Sequence, residues 1–113
     1  MSENENIAPC RLATHADGSM SLLLLIDFKH DHARFDALFK EFGRYNNGHG
    51  WNSVIQTVIS SQILSTLHFD PEADMVSIVG HDRNVLVEIA QQIRHLLNDE
   101  AALREAVAAS ELD

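Results

Sequence analysis

The stretch from Phe42 to Trp51, FGRYNNGHGW, constrains this chain more than any other. Helix-patterned runs lead into it and out of it. Its own residues favour turns, because Asn and Gly adopt positive φ at little steric cost. Ahead of it, Phe35, Leu38, Phe39 and Phe42 recur at i, i+3, i+4 and i+7, which draws one apolar helix face, while Arg34, Asp36, Lys40 and Glu41 take the other side. Asp31 is a suitable N-cap for this helix, and Gly43, with Arg44 just beyond, a suitable C′ residue. Beyond the turn, Trp51, Val54, Ile55, Val58, Ile59 and Ile63 repeat at helical spacing. Trp51 therefore opens a second helix, with Asn52 or Ser53 contributing to its cap. A ring this large just after a glycine turn either locks two helices together or projects as a binding anchor, and burial is the commoner fate.

Strand patterns flank this helical pair. Asp17-Gly18 lies between the runs Arg11 to His15 and Ser19 to Asp27, a short hairpin signal. The second run contains MSLLLLIDF, whose unbroken apolarity predicts a strand buried on both faces or pinned in mid-sheet. Leu67 to Phe69 and Met75 to Val79 predict a second hairpin around the turn Asp70-Pro71-Glu72-Ala73-Asp74, with proline at its favoured position. Asn84 to Leu97 is an amphipathic helix capped by Asp82. Asp99 and Glu100 start a last short helix over Ala101 to Ala109. The order ββααββαα predicts an α+β two-layer sandwich, with an antiparallel sheet of about four strands and the helices mainly on one face. Residues 1–9, polar and carrying Pro9, are expected to form a loose N-terminus, and 10–113 a single globular domain.

Charge narrows the partners. Seventeen acidic residues face eight basic ones, for a formal net charge of -9. That balance argues against direct nucleic-acid binding, where phosphate neutralisation dominates, and favours fast association with a basic protein. Cys10, the single cysteine, allows no internal disulfide. MSENENIAPC is not a signal peptide, and Leu22 to Ile26 is too short to span a bilayer. The expected location is the cytoplasm, away from the membrane.

Catalytic signals are sparse. His30 and His32, near Asp27, Asp31 and Asp36, form a His-x-His fragment, but no third ligand has diagnostic spacing. His68 with Asp70, and His81 with Asp82, could form an acid–base pair if the second hairpin joined them; turn formation and helix capping explain the two aspartates more simply. No nucleophile elbow and no phosphate-binding loop is present, and Cys10 falls in a segment expected to be loose. The sequence thus predicts no catalytic, cofactor-binding or metal-binding residues. A small metal-binding or acid–base enzyme and a non-toxin adaptor domain stand as the alternatives.

Gly43, Asn47, Gly48 and Trp51, then Phe69 to Glu72, Met75 and the closing run LLNDEAALREAV, occur in an order and spacing that resemble the immunity protein 51 family of bacterial polymorphic toxin systems. The resemblance spans roughly residues 22–108 and departs at His49, where the family pattern usually has an aromatic. It implies a non-enzymatic immunity protein of interbacterial competition, which binds a cognate toxin and occludes its active or functional surface. Combined with the acidity, it favours a basic nuclease as the toxin. The residues expected to meet that partner are Tyr45, Asn46, Asn47 and His49 of the loop and Asp70, Glu72 and Asp74 of the acidic turn, with Trp51 in support.

Overall fold

A computed structural model describes residues 7–110. Two antiparallel hairpins meet along their second strands: β1 (Arg11–Thr14), β2 (Met20–Leu25), β3 (His68–Glu72) and β4 (Met75–Gly80) stand in the order β1-β2-β4-β3. Between the hairpins come α1 (His32–Glu41), α2 (Gly48–Thr57) and the single turn α3 (Ser61–Leu64); α4 (Arg83–Asn98) and α5 (Glu100–Ala109) follow β4. The helices cover one face of the sheet, as the α+β reading requires. No helix among the described residues is long and apolar enough to cross a membrane.

Each hairpin follows from its turn. Gly18 sits at φ +91°, and Asp17 Oδ1 accepts from the Ser19 amide at 3.0 Å and its hydroxyl at 2.6 Å. Those bonds, the hydroxyl's first, hold the Asp17 carboxyl below its ordinary range. In β3–β4 the turn is tighter than expected. Strand pairing runs through Glu72↔Met75, leaving Ala73 and Asp74 as the connection and placing Pro71 inside β3. An edge strand tolerates proline because an amide on its outer side has no ladder partner to lose.

The register separates two sheet faces. Leu22 pairs with Ile78 and Leu24 with Val76, and all four are fully buried beneath the helices. Leu23 and Leu25 point the other way; Leu25 is 51% exposed. The apolar run of β2 is therefore pinned in mid-sheet but not buried on both faces, since the helices cover only one. Burying each inner-face aliphatic contributes roughly 1.5–3 kcal/mol.

The helix ends obey their caps in most places. Asp82 Oδ1 accepts from the Asn84 and Val85 amides, and Asp99 Oδ1 from that of Ala102. At the end of α1, Gly43 (φ +71°) donates to the Lys40 carbonyl at 3.0 Å and Arg44 to that of Phe39 at 2.9 Å, the paired bonds of a Schellman cap. The Arg44 guanidinium then reaches Phe42 O, Ser110 Oγ and Ser110 O, tying the ends of α1 and α5 together. Two expectations fail. Asp31 precedes α1 but makes no capping bond, pairing instead with Arg34 at 3.5 Å. And α2 stops at Thr57, because Ser60 caps a separate turn through the Ile63 amide.

Cys10 is packed into the core at 4% exposure rather than lying in a loose segment. Burial pushes its thiol from an ordinary 9.0 up to about 12. The neutral thiol favours the folded state, so this contribution is complete below pH 9 and disappears as pH rises towards about 12. The melting temperature should fall across that interval in the wild type, and less steeply in Cys10→Val. Iodoacetamide at pH 8 should leave the folded protein unmodified and alkylate it fully in guanidinium.

Candidate functional site

The central loop and the acidic turn are one structural unit. Against expectation, helix α2 begins inside the glycine stretch, at Gly48. Asn47 caps it in extended conformation, its Oδ1 accepting from the Gly50 amide at 2.8 Å. The Gly48 amide donates to the Ala73 carbonyl in the β3–β4 turn at 3.0 Å. The approach is so close that a Cβ on Gly48 would lie 1.7 Å from Glu72 O and 2.5 Å from Met75 O, and one on Gly50 would lie 1.9 Å from Tyr45 O. Glycine serves here to let backbones touch rather than to break a helix, which is why turn propensity misplaced the helix start.

Trp51 fixes the loop from beneath. Its ring is fully buried, with centroids 5.1 Å from Phe39, 5.5 Å from Phe28 and 6.1 Å from Phe35. The indole can only donate, and Nε1 gives its hydrogen to Asn46 Oδ1 at 2.7 Å. That orients the amide so that Asn46 Nδ2 donates to Asp36 Oδ1 at 2.9 Å. Asn46, Asn47 and Trp51 thus bind the loop to α1 and α2. Tyr45, 77% exposed, projects from the same loop, and His49 is also exposed.

The carboxylates divide by face. Strand alternation puts His68, Asp70 and Glu72 on the side of the sheet away from the helices, opposite Val79, Ser77 and Met75. Asp74 occupies the turn, its carbonyl accepting from the Ile26 amide at 2.8 Å. Among the described residues, no ion pair involves Asp70, Glu72 or Asp74. Arg34 and Arg104 are engaged elsewhere. Arg104 grips Glu41 at 3.0 and 3.1 Å and Glu100 at 3.2 Å, while Arg34 joins Asp31 and Glu100. Arg104 holds the Glu41 carboxyl below its ordinary range.

Several histidines find local partners. His30 approaches Asp31 and His32 approaches Asp36, each at 3.7 Å. Asp82 Oδ1 caps α4 beside His81, and His68 stands opposite Val79. Among the described residues, no group of three His, Cys, Asp or Glu side chains is placed to hold a metal ion. A cleft of about 370 Å³ runs between Pro9, Phe28, Lys29, His30, Arg94 and Leu97, where Arg94 donates to Ala8 O at 3.0 Å.

Fold and site together define a small α+β protein that carries a loop, braced from below and docked on a β-turn, at one end of its sheet. A family model described as Immunity protein 51 matches residues 10–112, nearly the whole chain, and the chain belongs to that family. No curated protein and no solved structure matches it. The family membership expected from Gly43, Asn47, Gly48, Trp51 and the later matching residues is met, over a longer span than residues 22–108, and the structure gives Gly43, Asn47, Gly48 and Trp51 a common physical purpose: each fixes the loop or its ends.

Proposed function

We propose that the protein neutralises a cognate toxin in the cytoplasm by covering its active or functional surface. Tyr45, His49, Asp70, Glu72 and Asp74 make the contacts, and Asn46, Asn47 and Trp51 hold the loop in its binding shape. The observation that carries this reading is the Gly48–Ala73 hydrogen bond with its zero-clearance backbone approach, which welds loop and acidic turn together. A surface ordered before binding loses little conformational entropy on association. Exposed Tyr45 is a suitable anchor, because tyrosine is enriched among interface hot spots. The carboxylates of Asp70, Glu72 and Asp74, unpaired among the described residues, and the net charge of -9 suit a basic toxin, with a nuclease as the favoured class. The action is binding, with no cofactor, and the complex should bury on the order of 1,600 Å².

Co-expression with the product of the reading frame immediately upstream, followed by pull-down, tests this. A product toxic alone, harmless with this protein and captured at a fixed ratio supports the reading; a product harmless alone and never captured removes it. In the complex, the triple substitution D70K/E72K/D74K should lower the association rate about 10-fold or more at low salt, with the difference shrinking as salt rises. An unchanged rate in the folded variant would take the acidic turn out of the interface.

A further inference from the structure

Among the described residues, the outer face of the sheet is half-exposed at Leu23, Met75, Ser77 and Val79 and exposed at Leu25, Asp70 and Glu72, while Ser21, whose hydroxyl lies 2.7 Å from His15 Nε2, is buried. The rows of this face are Arg11–Leu23–Ser77–Asp70, Ala13–Ser21–Val79–His68 and Leu25–Met75–Glu72, read directly across the paired strands. Leu23, Leu25, Met75 and Val79 line its centre, and none of them belongs to the core cluster or packs against it. Leu25 and Tyr45 are the exposed large hydrophobic side chains of the described residues. Four apolar side chains grouped on one solvent face make a candidate interaction site.

We infer that this face, with Leu25 and Met75 at the end nearest the β3–β4 turn and Asp70 and Glu72 along its β3 side, is a docking surface for an apolar projection ringed by Lys and Arg on the toxin. The inference rests on the toxin-binding reading above and names the face that reading uses. Three observations select this occupant. First, the apolar group is flanked by two carboxylates and one cation, Arg11, so it complements a basic protein with an apolar centre. A second copy of the chain, itself at -9, would add repulsion. Second, the row Leu25–Met75–Glu72 ends at the Ala73–Asp74 turn, against which Gly48 is docked, so face and loop are continuous. Third, the area suits one part of a larger interface. Strand spacing of about 4.8 Å and a two-residue repeat of about 6.8 Å make the face roughly 14 by 14 Å, near a quarter of the ~800 Å² that one partner contributes to a stable complex. Loop and turn adjoin the face and would supply the remainder.

The test uses the complex captured by co-expression with the upstream product. Leu25→Arg changes a half-exposed side chain and should leave the melting temperature nearly unchanged, while weakening capture about 30-fold or more, the effect of losing a hot spot. In the wild type, hydroxyl-radical oxidation of Met75 should be suppressed in the complex relative to the free protein, with buried Met20 (8% exposed) as the unreactive internal reference. This second readout needs no variant. Capture with Met75 oxidised at the free rate, or an Leu25→Arg affinity within about 3-fold of wild type, overturns the face and leaves the immunity reading standing. A wild-type protein that captures nothing overturns both. A free protein that dimerises at about 100 µM and is dispersed by Leu25→Arg assigns the face to a second copy and overturns the inference.

Discussion

Gly48→Ala is expected to be the most damaging single-methyl change in the protein. The added Cβ would stand 1.7 Å from the Glu72 carbonyl oxygen and 2.5 Å from that of Met75, both backbone atoms with no rotamer to escape into. Relief requires lifting α2 from the β3–β4 turn, which breaks the bond to Ala73 and uncovers the core beside it. The expected loss is about 3 kcal/mol or more, a large share of a typical domain's stability. Urea titration followed by circular dichroism would measure it. Gly43→Ala is the matched control. It meets no atom within 4 Å but sits at φ +71°, so it should lose about 1–2 kcal/mol through backbone strain alone. Equal losses at the two positions would show that the close approach is not what requires glycine at 48. Any folded Gly48→Ala protein should also capture toxin poorly, because loop and turn no longer share one geometry.

Trp51 carries the second large effect. Trp51→Ala removes a fully buried ring from among Phe28, Phe35 and Phe39 and should cost about 3–5 kcal/mol. Trp51→Phe separates packing from hydrogen bonding. It retains much of the ring volume but leaves Asn46 Oδ1 without its donor, at an expected cost of about 1–3 kcal/mol. The same variant should weaken toxin capture beyond its effect on stability if Asn46 positions Tyr45. A Trp51→Phe protein as stable as wild type would mean that Asn46 is satisfied by other means.

These two residues show what the sequence made readable and what it hid. Burial of Trp51 was legible because it follows a turn and starts an apolar i, i+3, i+4 repeat. The Asp17-Gly18 hairpin, the Gly43 cap and the Asp82 and Asp99 caps were legible for the same reason: each is local chemistry. The start of α2 was not. Glycine is a poor helix former, and what overrides that preference is contact with a turn more than twenty residues downstream. Pro71 was misplaced into the turn because nothing local distinguishes a turn proline from one on an edge strand. The apolar run of β2 fits a strand covered on both sides equally well, and only the tertiary packing of the helices against the face that carries Leu22 and Leu24 leaves Leu25 exposed. For the candidate site, Asp70, Glu72 and Asp74 were visible as a cluster. Their division between sheet face and turn, and the distinction between the bracing Asn46 and Asn47 and the projecting Tyr45, depended on tertiary contacts.

The strand order has a kinetic consequence. Within each hairpin, partners such as Leu12 and Leu22 or Phe69 and Ile78 are close in sequence, whereas the central seam joins Leu22 to Ile78 across the three intervening helices. Closing that longer segment costs about 1.5 kcal/mol more entropy than closing a hairpin. The hairpins can thus form and dissolve independently, and joining β2 to β4 is the event that commits the chain to its native state. Conservative truncations along the seam, such as Ile78→Val, should therefore slow refolding, while those on β1 should mainly hasten unfolding. Stopped-flow refolding of the two classes would reveal whether the seam is the nucleus, and hence how soon after synthesis a newly made chain is ready to meet its toxin.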